Sequence, residues 1–272
     1  MKILSWQEFL DGAIQHEIAA TIGVFDGLHR GHRALLEAIL HRRSQLVPAV
    51  FTFRENPKKS LHPASYRGCL LTLERKLEML AESGVEYCVL IDFSRNFATL
   101  SGRDFLLAMQ SRKVRVIAVG ENFRFGYRLD SDAAMLQNLG PTMGIDAVIV
   151  KSIQYNGHPV SSSRIRTAIL EGRLHDAAVM LGRPYEICAR VCQNSQGPNE
   201  ESGCAVAEDD QVLPPDGAYA TVIHDGQIVR TCWVVLEGRM LKFGVRMQSD
   251  VIRAAFTDTV QQEQEKEIQV WL

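Results

Sequence analysis

A chain of 272 residues is long enough for one or two domains and for a substantial core that needs no disulfide or metal support. Its 46% hydrophobic and 23% charged residues lie in the ordinary globular range, which excludes a mainly disordered, collagen-like or disulfide-scaffold chain. Thirty Lys and Arg against 32 Asp and Glu leave a net charge of −2, so no nucleic acid and no membrane surface is expected as a partner, and any anion site must be local.

The longest apolar runs are far shorter than a membrane span, and the start, Met1-Lys2-Ile3-Leu4-Ser5-Trp6-Gln7-Glu8, turns polar too soon for a signal peptide. A cytoplasmic protein is expected. The six cysteines, at 69, 88, 188, 192, 204 and 232, sit in apolar segments without Cys-x-x-Cys spacing, which favours buried reduced thiols over zinc ligands or bridges.

In chain order, Ile18 to Phe25 reads as a buried strand, and Arg33 to Arg43 as a helix with Leu35, Leu36, Ile39 and Leu40 at helical spacing. The alternation continues through strand Val47 to Phe53, helix Thr72 to Glu82, strand Tyr87 to Ile91, helix Gly102 to Gln110 and strand Val114 to Val119. Helix Ser131 to Leu139 and strand Asp146 to Val150 extend it. Such repeats predict an α/β fold, a Rossmann-like doubly wound parallel sheet whose ligands bind beyond the carboxyl ends of the strands.

From Ser161 a serine-capped helix runs to Gly172, and a shorter one, His175 to Leu181, ends at Gly182-Arg183-Pro184. The texture changes there, which puts a domain at 1–185 and a smaller β-rich domain at 186–272. In the latter, Val191 to Asp210 is turn-rich, while Tyr219 to Ile223 and Val229 to Leu236 flank a hairpin turn at Asp225-Gly226. Asp250 to Glu267, highly charged and glutamine-rich, is expected to close the chain as a helix.

The segment Gly23-Val24-Phe25-Asp26-Gly27-Leu28-His29-Arg30-Gly31-His32 passes from strand into helix. Gly27 and Gly31 permit a tight turn and close backbone approach, and His29 and His32 sit beside the free amides of the helix start. Two imidazoles there can donate to a triphosphate and stabilise charge on an attacked α-phosphorus. The plainer possibility is one histidine capping the helix and the other lying on the surface. Neither a Walker motif nor a Rossmann dinucleotide fingerprint is present.

This segment resembles the His-x-Gly-His signature of the nucleotidylyltransferase superfamily, and Ser161-Ser162-Ser163-Arg164-Ile165-Arg166 resembles its second signature. Together they are similar to the adenylyltransferase module of the bacterial bifunctional riboflavin kinase/FAD synthetase family. Further stretches agree with that family in order and interval: Phe93 to Ala98, Val119 to Gly126 and Leu181 to Tyr185. The resemblance runs over about residues 16 to 190.

Read as chemistry, Ser161, Ser162, Ser163 and their amides offer donors to the β- and γ-phosphates of ATP, and Arg164 and Arg166 add charge; an ordinary serine cap with solvated arginines is the alternative. Asn122-Phe123-Arg124-Phe125-Gly126 offers two aromatics flanking a cation, suited to a planar anion, unless the rings are plain core residues. The resemblance implies His29, His32, Ser163 and Arg164 as catalytic residues and Gly23, Phe25, Asp26, Gly31, Ser161, Ser162 and Arg166 as further ATP contacts. It puts Asn122, Phe123, Phe125, Phe53 and Asn56 in a flavin mononucleotide site. One departure stands out: after Thr52-Phe53 the family commonly reads proline-histidine-proline, whereas this chain has Arg54-Glu55-Asn56-Pro57, and an asparagine carries no proton.

The implied reaction is transfer of AMP from ATP to FMN, giving FAD and pyrophosphate, with Mg2+ accompanying ATP on protein ligands that the sequence does not name. The alternatives are a different phosphorylated acceptor, or a flavin-binding sensor without turnover. Pro214 to Tyr219 resembles part of the family's flavokinase barrel, yet Val191 to Gly217 contains nothing like its Gly-x-Pro-Thr-Ala-Asn loop. A reduced flavokinase-like lobe, too short for a complete barrel and its helix and without riboflavin kinase activity, is therefore expected.

Overall fold

The computed structural model describes residues 1–192 and 203–259. By internal contacts the chain divides into two units, one of Met1–Tyr66 and Leu73–Val160, the other of Arg67–Thr72 with the described residues from Ser161 onward.

The first unit runs β1 (Lys2–Ser5), α1 (Trp6–Leu10), β2 (Ile18–Ile22), α2 (Arg30–Leu40), β3 (Val47–Phe53), α3 (Pro57–Leu61), α4 (Leu73–Glu82), β4 (Tyr87–Ile91), α5 (Arg95–Ala98) and α6 (Gly102–Ser111). It continues with β5 (Val114–Gly120), β6 (Arg124–Phe125), β7 (Ser131–Asp132), α7 (Ala133–Leu139), β8 (Asp146–Val150), β9 (Gln154–Tyr155) and β10 (His158–Pro159). Six strands form one parallel sheet in the order β1-β4-β3-β2-β5-β8. Every residue of β2 is buried, as expected of a strand covered on both faces. The expected doubly wound α/β fold is thus present.

Strand order reverses between β2 and β5: the chain goes from β2 outward to β3 and β4, then returns to lay β5 on the other side of β2. In such sheets the carboxyl ends of the strands that flank the reversal, here β2 and β5, are the usual ligand position. The segments singled out in the sequence, Gly23 to His32 and Asn122 to Gly126, follow these two strands. Beneath them lies a core that includes Ile22, Phe51, Phe105, Ile117 and Val119.

In the second unit, α8 (Ser162–Leu170) packs on α9 (Leu174–Leu181). Then come β11 (Tyr185–Val191), β12 (Gly203–Ala207), β13 (Gly217–Asp225), β14 (Ile228–Glu237), β15 (Met240–Phe243) and β16 (Val251–Thr259). They close into an antiparallel barrel, β11-β12-β15-β14-β13-β16. The Asp225-Gly226 turn is confirmed: Asp225 pairs with Ile228, and Gly226 takes φ +61°, the left-handed conformation that a two-residue hairpin loop demands.

Two expectations are corrected here. The lobe is not too short for a barrel, because β16 closes the ring between β11 and β13. That strand occupies Val251–Thr259, where a helix was expected. Its Ile252, Ala254 and Phe256 are buried in alternation, a period of two that the surrounding charge obscures. Residues 260–267 of the expected helix lie outside the described residues.

Arg67–Thr72 is an arm of the second unit although its neighbours in sequence belong to the first. The Cys69 amide donates to the Asp210 carbonyl (2.7 Å), and the Val212 amide to the Cys69 carbonyl (2.9 Å). Gln211, buried, donates through Nε2 to the carbonyls of Leu70 (3.2 Å) and Glu186 (2.9 Å) and accepts from the Cys188 amide (2.9 Å). None of the six cysteines is in a disulfide; Cys88 and Cys188 are buried and the other four half-buried.

Candidate active site

The turn after β2 begins where the Gly23 amide donates to the Phe51 carbonyl (3.1 Å). It then passes through Phe25 at φ +53°, Gly27 at +85° and Leu28 at +41°. Two non-glycine residues in the left-handed region, four positions apart or less, mark a backbone held against its preference by its surroundings, a situation that clusters at functional sites. Phe25, fully buried, anchors the turn from below and sets its ring 5.0 Å from that of His32.

His29 is the N-cap of α2, and its Nδ1 accepts the His32 amide proton at 3.3 Å. With Nδ1 an acceptor, the proton of a neutral His29 ring lies on Nε2, at the far edge. The His29 and His32 rings stack at 3.6 Å between centroids and 14° between planes. Gly31 makes the stack possible, since a Cβ there would stand 3.2 Å from the His29 ring.

His32 Nδ1 is buried without a hydrogen-bond partner. Burial above all, then the charges of His29 and Lys76, hold the His32 imidazole well below its usual titration range. At neutral pH it is uncharged and has one N–H to give. The stacked pair sits at the N-terminus of an eleven-residue helix, where backbone amides also point outward.

The carboxyl end of β3 braces this turn. Thr52 Oγ1 donates to the Val24 carbonyl (3.0 Å), and Lys76 Nζ, from α4, donates to the Phe53 carbonyl (2.7 Å) and to Thr52 Oγ1 (3.5 Å). The Phe53 ring meets Phe93 and Phe97 edge-on, at 5.9 and 6.0 Å. Asn56 caps α3 by accepting the Lys58 amide proton (3.1 Å). Asp26 is buried.

After β5, Phe123 and Phe125 stack on each other (5.3 Å, 18°), and Phe125 meets Phe105 edge-on (5.9 Å). Both are half-buried against the core, so each is at once a core residue and a wall with an open side, while Asn122 is exposed. The β6–β7 ladder pins the loop, helped by Asp130, which accepts from the Gly102 amide (3.1 Å) and from Ser131 Oγ (2.8 Å).

Ser161 to Arg166 belong to the second unit. Ser161 is the N-cap of α8, its Oγ accepting the Arg164 amide proton (3.3 Å). Ser162 and Arg164 are half-buried and Ser163 is exposed. Arg166 is buried, with Nε donating to the Gly68 carbonyl (2.8 Å). Its guanidinium thus fastens the 67–72 arm to α8, a structural role that the sequence did not reveal.

Sequence reasoning also missed Lys76 and Thr52. The one available signal was a lysine on the apolar stripe of α4, where Lys76 and Leu80 are the buried residues. Among the described residues, no group of three or more His, Cys, Asp or Glu could hold a metal ion, and no helix is long and apolar enough to cross a membrane.

Comparison with known proteins adds a family to this geometry. The profile of FAD synthetases matches residues 11–164. A bifunctional riboflavin kinase/FMN adenylyltransferase of Escherichia coli K12 is 34% identical over 200 residues, 72% of this chain and 64% of the relative. The chain thus spans less than two thirds of that relative's length. A Listeria monocytogenes FAD synthetase is 31% identical over 205 residues, 74% of this chain and 79% of the relative. In fold alone, the crystal structure titled as a macrolide-efflux protein from Streptococcus pneumoniae superimposes with a TM-score of 0.85, covering 99% of this chain and 97% of that one at 22% identity.

Proposed function

The chain belongs to the FAD synthetase family, and from that premise we propose that it transfers AMP from ATP to FMN, giving FAD and pyrophosphate. A phosphate oxygen of FMN attacks the α-phosphorus of ATP, the bond from that phosphorus to the α,β-bridging oxygen breaks, and pyrophosphate leaves with the electron pair. The second ionisation of a phosphate monoester falls near pH 6, so the nucleophile is already anionic at neutral pH and needs no general base. What remains for the protein is to align the two phosphates and to stabilise the charge that builds between them.

The observation that carries this reading is the stacked His29–His32 pair at the start of α2. In the proposal, the ring N–H groups and the α2 amides receive the phosphate oxygens, with the backbone of Gly23 to Gly31, including Phe25 and Asp26, lining the path. Ser161, Ser162, Ser163, Arg164 and Arg166 supply donors and charge to the outer phosphates, as the family resemblance implies. Phe53, Asn56, Asn122, Phe123 and Phe125 take the flavin, the half-buried rings offering their open sides to the isoalloxazine. Magnesium is supplied with ATP as part of the substrate.

The same proposal takes 1–185 as the adenylyl-transfer domain and 186–272 as a flavokinase-like lobe without kinase activity, in a cytoplasmic protein. A riboflavin hydroxyl, unlike the FMN phosphate, must be activated, and the sequence between β11 and β13 contains no Gly-x-Pro-Thr-Ala-Asn run to hold a nucleotide for that purpose.

The test is to incubate the pure protein with MgATP and FMN and to separate the flavins by chromatography. FAD and pyrophosphate in equal amounts support the reading. Tightly held FMN with no FAD would favour a sensor, and turnover only with another phosphorylated acceptor would redirect the substrate assignment.

A further inference from the structure

Lys76 is a charged residue where an apolar one would cost less. It is 7% exposed and shares the inward face of α4 with Leu80. Taking an ammonium out of water is unfavourable, and a leucine or methionine at that position would fill the space without the penalty. The lysine reaches the carboxyl end of β3, where Nζ donates to the Phe53 carbonyl and to Thr52 Oγ1. Thr52, fully buried, passes its own proton to the carbonyl of Val24, the residue before the left-handed Phe25. An unbroken polar chain thus links α4, through β3, to the start of the histidine turn. The Lys76 charge also acts on His32 of α2 and on Cys88 of β4.

We propose that Lys76 is a positioning residue for AMP transfer: through Thr52 it fixes the turn that carries His29 and His32, and its charge acts on the His32 ring. The proposal rests on the adenylyl-transfer reading. A turn with two residues in disfavoured backbone conformations stays in place only when its neighbours over-determine it, and the Lys76–Thr52–Val24 chain is such a constraint. The Lys76 charge complements the anionic phosphates expected at the turn and opposes a second proton on the His32 ring. The other titratable groups around His32 are Asp26, His29, Arg30 and Arg33 in its own turn and helix. The strands packed on α2 add only Arg115 and Asp146, at the amino ends of β5 and β8, the opposite end of the sheet.

Three variants of the full chain separate these roles: Lys76→Met, which removes the charge; Lys76→Arg, which keeps it; and Thr52→Val, which cuts the link at constant shape. Circular dichroism first establishes folding. The His32 imidazole is then titrated by NMR without substrate, its signal assigned by its loss in His32→Asn. The His32 midpoint should rise in Lys76→Met and stay at the parental position in Lys76→Arg and Thr52→Val. In steady-state FAD formation, Lys76→Met and Thr52→Val should lower kcat by about tenfold or more, the scale of a small misplacement of reacting groups, with KM for FMN unchanged. Lys76→Arg should recover part of the loss. Parental kcat together with a parental His32 titration in Lys76→Met would reduce Lys76 to a cap on β3 and overturn the proposal. Should Lys76→Met not fold, parental kcat in Thr52→Val overturns it instead. If the unmodified protein forms no FAD, the adenylyl-transfer reading has failed, and the titration still decides whether Lys76 acts on His32.

Discussion

Replacing His32 by alanine removes one N–H donor from the turn after β2 and almost nothing else. Its Nδ1 has no partner to lose, and its amide still donates to His29 Nδ1, so the cap of α2 survives. What the fold loses is a ring between His29, at 3.6 Å, and Phe25, at 5.0 Å. Aromatic contacts of this kind contribute about 0.5–1.5 kcal/mol beyond burial, offset in part by the better helix propensity of alanine. A stability loss on the order of 1–2 kcal/mol follows. Removing one preorganised donor aimed at developing charge costs about 10²–10³ in rate, or roughly 2.7–4 kcal/mol of barrier. The catalytic loss should therefore exceed the loss of stability. The assay is kcat for FAD formation at saturating MgATP and FMN, alongside urea unfolding of the same preparation. A folded His32→Ala protein that turns over at the parental rate would refute the assignment of the histidine turn to the reacting phosphate.

The other predictions concern pH, the flavin wall and the second unit. Because the folded-state pKa of His32 is depressed from its usual 6.5, the unfolded chain takes up this proton first as pH falls. Stability should thus be full above about pH 6.5 and decline as pH drops towards the folded-state value. Urea unfolding across that window should show a shallower decline in His32→Asn, and superimposable curves would contradict the assignment. Phe125→Ala should weaken FMN more than ATP, since a ring stacks on a ring and not on a triphosphate; equal losses in the two KM values would return Phe125 to a purely structural role beside Phe105 and Phe123. Riboflavin with MgATP should yield no FMN, and FMN formation that persists in His32→Ala would reveal a second active site.

The parallel sheet was legible because strands covered on both faces must be apolar throughout: Val47–Phe53 and Tyr87–Ile91 have the limits that their composition suggests. The edge strand Lys2–Ser5, paired on one side only, is too short and too mixed to stand out. Its connection to α1 was nevertheless written in the sequence as Ser5 and Glu8, a capping box. The barrel strand Val251–Thr259 was hidden by the charged, glutamine-rich composition around it. In the candidate site, the two histidines and their glycine could be read directly because spacing within one turn defines them. Lys76, Thr52 and the buried Arg166 could not. A lysine on a helix or a threonine in a strand acquires its role only from what the fold packs against it, here the Phe53 and Val24 carbonyls.

The arm Arg67–Thr72 makes the second unit discontinuous along the chain, and this constrains how such a protein can be taken apart. No single cut releases the second unit whole. A fragment beginning at residue 161 or 186 would cost Gln211 Nε2 one of its two acceptors, the Leu70 carbonyl, leaving that of Glu186, and the former would also remove the Gly68 carbonyl from Arg166 Nε. Each hydrogen bond lost in this way removes about 0.5–1.5 kcal/mol, together an appreciable part of what a small barrel has in reserve. Shuffling of the barrel between proteins, in the laboratory or in evolution, would then succeed more readily as exchange of the whole chain than as grafting of its carboxyl-terminal portion.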